Sequence, residues 1–182
     1  MFEDHVERIL KAWEQDAERI IVDKVEAWAP ETVYCAAFWL FYFDYTVINC
    51  PCFALNTVEA AADAPEYAWH APDFKDDGSA PTEQMEALYA DLSKALEGEP
   101  EDVWDDVEEA LRVGLAQLCR RLTKRIRDDS AVSVSDHFVV CILEERDGDE
   151  EFERLFELSI ESDDEKAAIR AQWGDVADEV TP

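Results

Sequence analysis

Apolar residues recur at three- and four-residue steps through the opening segment, where Val6, Ile9, Leu10, Trp13, Ala17, Ile20, Ile21, Val25 and Trp28 form a single stripe. That period belongs to a helix that buries one face. Pro30 ends it, because a proline ring removes a backbone donor and clashes with the preceding turn. Residues 32–42 are apolar on both alternating faces and rich in aromatic and β-branched side chains, which predicts a central strand covered on both sides. After a short connection at Asp44 and Tyr45, residues 46–55 read as a second strand, antiparallel to the first because so short a loop cannot make a parallel crossover. Pro51 cannot donate to a ladder, so an edge position, or a bulge between Cys50 and Cys52, is expected there.

From 56 to 80 the pattern is irregular. Pro65, Pro72 and the turn signal Asp76-Asp77-Gly78-Ser79 predict a long loop with one short helix. Pro81 opens a helix with Met85, Leu88, Tyr89, Leu92 and Leu96 on one face and Gly98 as its left-handed terminator. Pro100 opens the next, a long helix striped by Trp104, Val107, Leu111, Leu115, Leu118, Leu122 and Ile126. Residues 135–143 read as a third buried strand, which ends in the acidic turn Glu144-Glu145-Arg146-Asp147-Gly148. A short helix over 149–158 follows. Ser162 with Glu165 is a capping-box signature for a last helix carrying Ile169, Trp173 and Val176. With no repeat and no linker, the expectation is one α+β domain over 1–182, a small, mainly antiparallel sheet flanked by long amphipathic helices, with a mobile tail at 178–182.

Charge changes the picture more than size does. Among 182 residues, 16 Lys and Arg face 45 Asp and Glu, a formal charge of −29, yet 48% of residues are hydrophobic and 11% aromatic, which excludes acidic disorder. So negative a surface repels phosphate backbones and anionic lipid, so neither nucleic acid nor membrane is an expected partner. The longest apolar stretch, 33–43, is shorter than the ~20 residues of a membrane-spanning helix. The acidic start Met1-Phe2-Glu3-Asp4-His5 lacks the basic region of a signal peptide. Cys35, Cys50, Cys52, Cys119 and Cys141 are odd in number and without zinc-type spacing, which suits reduced, buried thiols. A cytoplasmic location is the expectation.

Candidate chemistry is sparse. His5, His70 and His137 are scattered, and Asp73, Asp76 and Asp77 lack the ligand alternation of a calcium loop. Five glycines cannot build a phosphate-cradling loop, and no nucleophile elbow is present. No catalytic residue, metal or cofactor is therefore expected. Basic residues concentrate at Arg112, Arg120, Arg121, Lys124, Arg125 and Arg127 of one predicted helix. Pairing with Asp105, Asp106, Glu108 and Glu109 of the same helix, or with neighbouring elements, is favoured over an anion-binding patch.

Helix, aromatic strand 34–42, short turn, a second strand running into Asn56-Thr57, then Trp69 with Pro72-Asp73, a helical middle and a late strand 138–143: this order resembles the uncharacterised bacterial family known as domain of unknown function 4303. Asn-Thr after the second strand and the Trp-x-x-Pro-Asp segment carry the resemblance, from the first helix to the turn near Gly148. The cysteine-bearing second strand departs from the pattern. The resemblance implies no catalytic residues, and a single-domain protein of the kind found beside bacterial toxins as an immunity partner.

A dense acidic surface either keeps a protein soluble in high salt or steers it to a basic partner. The leading expectation is a non-enzymatic inhibitor of the immunity or antitoxin type that occludes the basic active site of a toxin enzyme. Its expected contacts are Asp63, Glu66, Tyr67, Trp69, Asp73, Asp76, Asp77, Glu144, Glu145, Asp147 and Asp149. A second expectation is a ligand-binding protein or enzyme with a pocket between the aromatic strand and the 56–80 loop, using Asn56, Trp69, His70 and Asp73. A third is a halophile-adapted housekeeping domain.

Overall fold

The computed structural model describes residues 2–39, 41–79, 81–144 and 148–173. The expected tail at 178–182, and Glu145 and Asp147, lie outside them. The elements are α1 (Phe2–Trp28), β1 (Val33–Trp39), β2 (Cys52–Thr57), α2 (Val58–Asp63), two 3-10 turns (Pro65–Tyr67 and Ala71–Asp73), β3 (Asp76–Ser79), α3 (Glu83–Ala95), α4 (Glu101–Asp128), β4 (Val134–Ile142), α5 (Asp149–Ser159) and α6 (Asp163–Trp173). The four strands form one sheet in the order β3-β2-β1-β4. β2 is antiparallel to both its neighbours, and β4 runs parallel to β1.

β1 shows why the sheet needs cover on both sides. Val33, Ala36 and Phe38 join the core packed under α1, α3 and α4, whereas Tyr34, Cys35 and Ala37 join a second core under α2, the 3-10 turns, α5 and α6. Strict alternation would separate Tyr34 from Cys35. A register shift between Val33 and Cys35 puts both on the same face. On the first face, Trp13 packs edge-on against Phe38 with ring centroids 4.9 Å apart. The α1 and α4 stripes supply the rest of that layer, as their period requires. On the second face Trp69 stands edge-on to Tyr34 and to Phe156.

Three expectations are corrected. The second strand begins at Cys52, not at residue 46, because Asp44 Oδ1 accepts from the Thr46 and Val47 backbone N–H groups and bends the chain into a turn. Pro51 thus precedes the ladder, and β2 is an interior strand with β3 on its outer side. The 56–80 region holds the one short helix expected, α2, which starts where Thr57 Oγ1 accepts from Ala60 N, but Asp76-Asp77-Gly78-Ser79 pairs with β2 instead of turning. Gly78 adopts φ +133° there, and a Cβ on it would lie 3.1 Å from Cys52 Cβ. Finally, Cys35, Cys119 and Cys141 are buried but Cys50 and Cys52 are only half-buried, at the margin where β2 begins.

Other signals held locally. Gly98 has φ +85° after α3, and Ser162 Oγ accepts from Glu165 N at the start of α6. The Glu165 carboxylate does not complete the capping box by reaching back; it pairs with Arg127. Asn56 and Trp69, assigned by the second expectation to a pocket, are 3% and 1% exposed. Asn56 Nδ2 donates to Tyr34 Oη, its Oδ1 accepts from Thr57 N and Lys75 N, and Tyr34 Oη donates to the Ala68 carbonyl. These groups tie the irregular segment to the sheet. Tyr34→Phe should therefore lower the unfolding free energy by about 1–3 kcal/mol, since it strands two buried polar groups. Urea denaturation checks this, and an unchanged midpoint would contradict it.

Candidate functional site

A cleft opens beyond the carboxyl ends of the parallel strands β1 and β4. Leu143 N still donates to Phe38 O at 2.9 Å. The next residue, Glu144, is 1% exposed, and its Oε2 accepts from Phe41 N at 2.5 Å. A carboxylate with no access to water needs such donors, and here it fixes where residues 41–43 leave the sheet. The chain then turns at Tyr45, which holds φ +61°, a left-handed conformation unusual for a bulky side chain. Phe43 stacks edge-on against Tyr45 at 4.8 Å and tilts against Trp104 of α4 at 5.9 Å. Tyr42 and Tyr45 remain 43% and 42% exposed.

Beside these rings runs one flank of α4. Asp105, Glu108, Glu109 and Arg112 recur at helical steps next to the apolar stripe, with Arg112 itself buried, and Glu151 approaches from α5. Together Phe41, Tyr42, Phe43 and these five side chains enclose a cleft of about 470 Å³. Its floor is an alternating chain of charges. Arg112 contacts Glu108 at 2.6 Å and Glu151 at 3.1 Å. Arg154 reaches Glu151 at 2.7 Å and grips Glu109 with two hydrogen bonds of 2.8 and 2.9 Å. With Asp105 added, four carboxylates face two guanidinium groups, so the cleft keeps a net charge of −2.

Hydrogen bonds from Arg154, and then from Arg112, hold the Glu151 carboxyl below the usual glutamate range. That is movement away from neutrality, the reverse of what a general acid or base needs. The Tyr45 phenol is raised above the ordinary tyrosine value, chiefly by its hydrogen bond to Asp105 and then by that carboxylate's charge. Half-exposed aromatic faces beside carboxylates suit a cation, above all a planar guanidinium that can stack and donate at once. Among the described residues, no group of three or more His, Cys, Asp or Glu side chains is placed to hold a metal ion.

The expected contact residues fall into separate places. Asp63, Glu66, Tyr67, Asp73 and Asp77 are exposed on the 56–80 segment. Asp73 Oδ2 meets His70 Nδ1 at 2.6 Å, and Asp76 pairs with Lys24 at 2.7 Å. Trp69 and Glu144, each 1% exposed, are corrected from contact residues to core residues. Asp149 opens α5, and Glu144 lies under the cleft, so only the end of β4 pointed to it. Tyr42, Tyr45, Asp105, Glu108, Glu109 and Glu151, at or beside the cleft, were not among the expected residues. Their signals were an aromatic run that outlasts its strand and acids repeating at i, i+3 and i+4 beside an apolar stripe.

Comparison with protein-family models, with curated proteins and with solved structures finds no match. No helix of the described residues is long and apolar enough to cross a membrane.

Because its carboxyl is lowered by folding, Glu151 adds stability that is present above the ordinary glutamate value of 4.5 and is lost as pH falls through its lowered folded value. Glu151→Gln should cost about 1–2 kcal/mol at neutral pH, and its difference from the wild type should fade in acid. Denaturation curves across that range check this. A penalty independent of pH would contradict it.

Proposed function

We propose that this protein is a non-enzymatic, cytoplasmic binding protein whose acidic aromatic cleft accepts cationic side chains of a basic partner, as an immunity or antitoxin-type inhibitor does when it covers the basic active site of a toxin enzyme. The cleft between residues 41–43 and α4, with Tyr45 hydrogen-bonded to Asp105 at its side, carries this reading. Carboxylates occur on every long helix, but here they flank half-exposed tyrosines. An arginine entering the cleft exchanges water for charge-assisted hydrogen bonds to Asp105 and Glu108 and for contact with the rings of Tyr42 and Tyr45. Aromatic anchors ringed by charge concentrate binding energy at interfaces. The −29 charge adds long-range steering toward a basic surface. The resemblance carried by Asn56-Thr57 and Trp69-x-x-Pro72-Asp73 points to the same class of protein.

The test is affinity capture from host lysate at low and high salt, with wild type compared to Tyr42→Ala/Asp105→Asn. The expected result is one stoichiometric basic partner, lost as salt rises and bound at least about tenfold more weakly by the variant. Capture that the variant and salt leave unchanged, or no basic partner at either salt, would contradict the proposal.

A further inference from the structure

Six cations crowd α4, and neighbours neutralise four of them. Arg112 meets Glu108 and Glu151, Arg121 and Arg125 meet Glu14, and Arg127 meets Glu165. Arg120 and Lys124 form no ion pair among the described residues. These two and Arg127 stand at i, i+4 and i+7 on one face of the helix. That face borders a cavity of about 230 Å³ at the junction of β4, the end of α5 and the start of α6.

Part of the guanidinium edge on this cavity is unpartnered. Arg120 Nε and Arg127 Nε and Nη2 are closed off from solvent without a hydrogen-bond partner. Guanidinium N–H groups removed from water take acceptors wherever geometry allows. The hydroxyls that line the space are already engaged: Thr123 Oγ1 accepts from Val140 N at 2.8 Å, and Ser159 Oγ donates to the Leu155 carbonyl and accepts from Ile142 N. Glu165 is held by Arg127. What would satisfy the wall is a compact group with several oxygens.

We propose that this cavity is a binding site for a phosphate-type oxyanion, held by Arg120, Lys124 and Arg127. Three donor side chains from successive turns of one helix ask for more oxygens than a carboxylate has, and a phosphate supplies them. Asp128 and Glu161 on the lining oppose binding. The lining thus sets three cations against three carboxylates, of which Glu165 is tied to Arg127, and acid farther away is screened over about 8 Å at physiological ionic strength. The site sits on the C-terminal half of α4, away from the acidic cleft, and does not depend on the function proposed for that cleft.

The experiment is NMR titration of the full chain with inorganic phosphate, and separately with phenyl phosphate, at constant ionic strength. Saturable one-site shifts confined to residues around 120–128 and 159–165 are expected, weakened about tenfold in Arg120→Gln and in Lys124→Gln. Glu161→Gln should bind more tightly, and Arg19→Gln, exposed on α1 and not part of the lining, should bind as the wild type does. Tighter binding of phenyl phosphate identifies a phosphomonoester site, and tighter binding of inorganic phosphate a free-anion site. Lys124 is exposed, so K124Q keeps the test readable if R120Q disturbs folding. The absence of saturable shifts, or shifts that R120Q and K124Q leave unaltered, would overturn the proposal.

Discussion

The structure depends on one strand that has no wet face. From Val33 to Phe38 every residue of β1 is buried, so both sides of the sheet must be covered. Two helical layers follow from that requirement. α1, α3 and α4 close one side around Trp13, Phe38 and Phe53, and the shorter elements close the other around Tyr34, Trp69 and Phe156. The shift at Tyr34 and Cys35 is what lets the second layer be thin: it turns a tyrosine hydroxyl toward Asn56 and the Ala68 carbonyl, where short irregular segments can be tied down. A buried hydrogen-bonded group does there what a long apolar helix does on the opposite face.

The long amphipathic helices and the doubly buried strand were legible in the sequence because each carries a sustained period that one physical cause explains. Elements that rest on contacts distant in sequence were not. β3 looked like a turn because Asp-Asp-Gly-Ser favours turns locally, whereas the outer edge of β2 gives it a ladder to join. Residues 46–51 looked like strand because they are apolar and β-branched, but the Asx turn at Asp44 takes the backbone out of register first. The cleft was harder still. It is assembled from residues 41–43, one flank of α4 and the start of α5, and in a chain with 45 acids no acidic cluster stands out from its background. Glu144 was singled out as a contact residue, but its role is to hold the cleft's aromatic wall from beneath.

Charge is organised, not merely abundant. α4 begins with Glu101 and Asp102 and ends with Arg125 and Arg127, in keeping with its dipole. Its acidic half faces the aromatic residues beyond β1, and its basic half faces α1 on one side and the start of α6 on the other. Arg112 and Arg154 bridge Glu108, Glu151 and Glu109 in alternation, which fixes the carboxylates in place while leaving them in excess. A site with fixed carboxylates loses little ordering entropy when a cation arrives.

The central claim is that the cleft, and not acidity in general, recognises a cation. The most direct test is chemical-shift mapping of the labelled protein with a short arginine-rich peptide at low and at high salt. The account predicts that shifts concentrate at residues 41–45, 105–109 and 151 and vanish as salt rises. Shifts spread evenly over the acidic faces of α1, α3 and α6, or absent from the cleft, would contradict it.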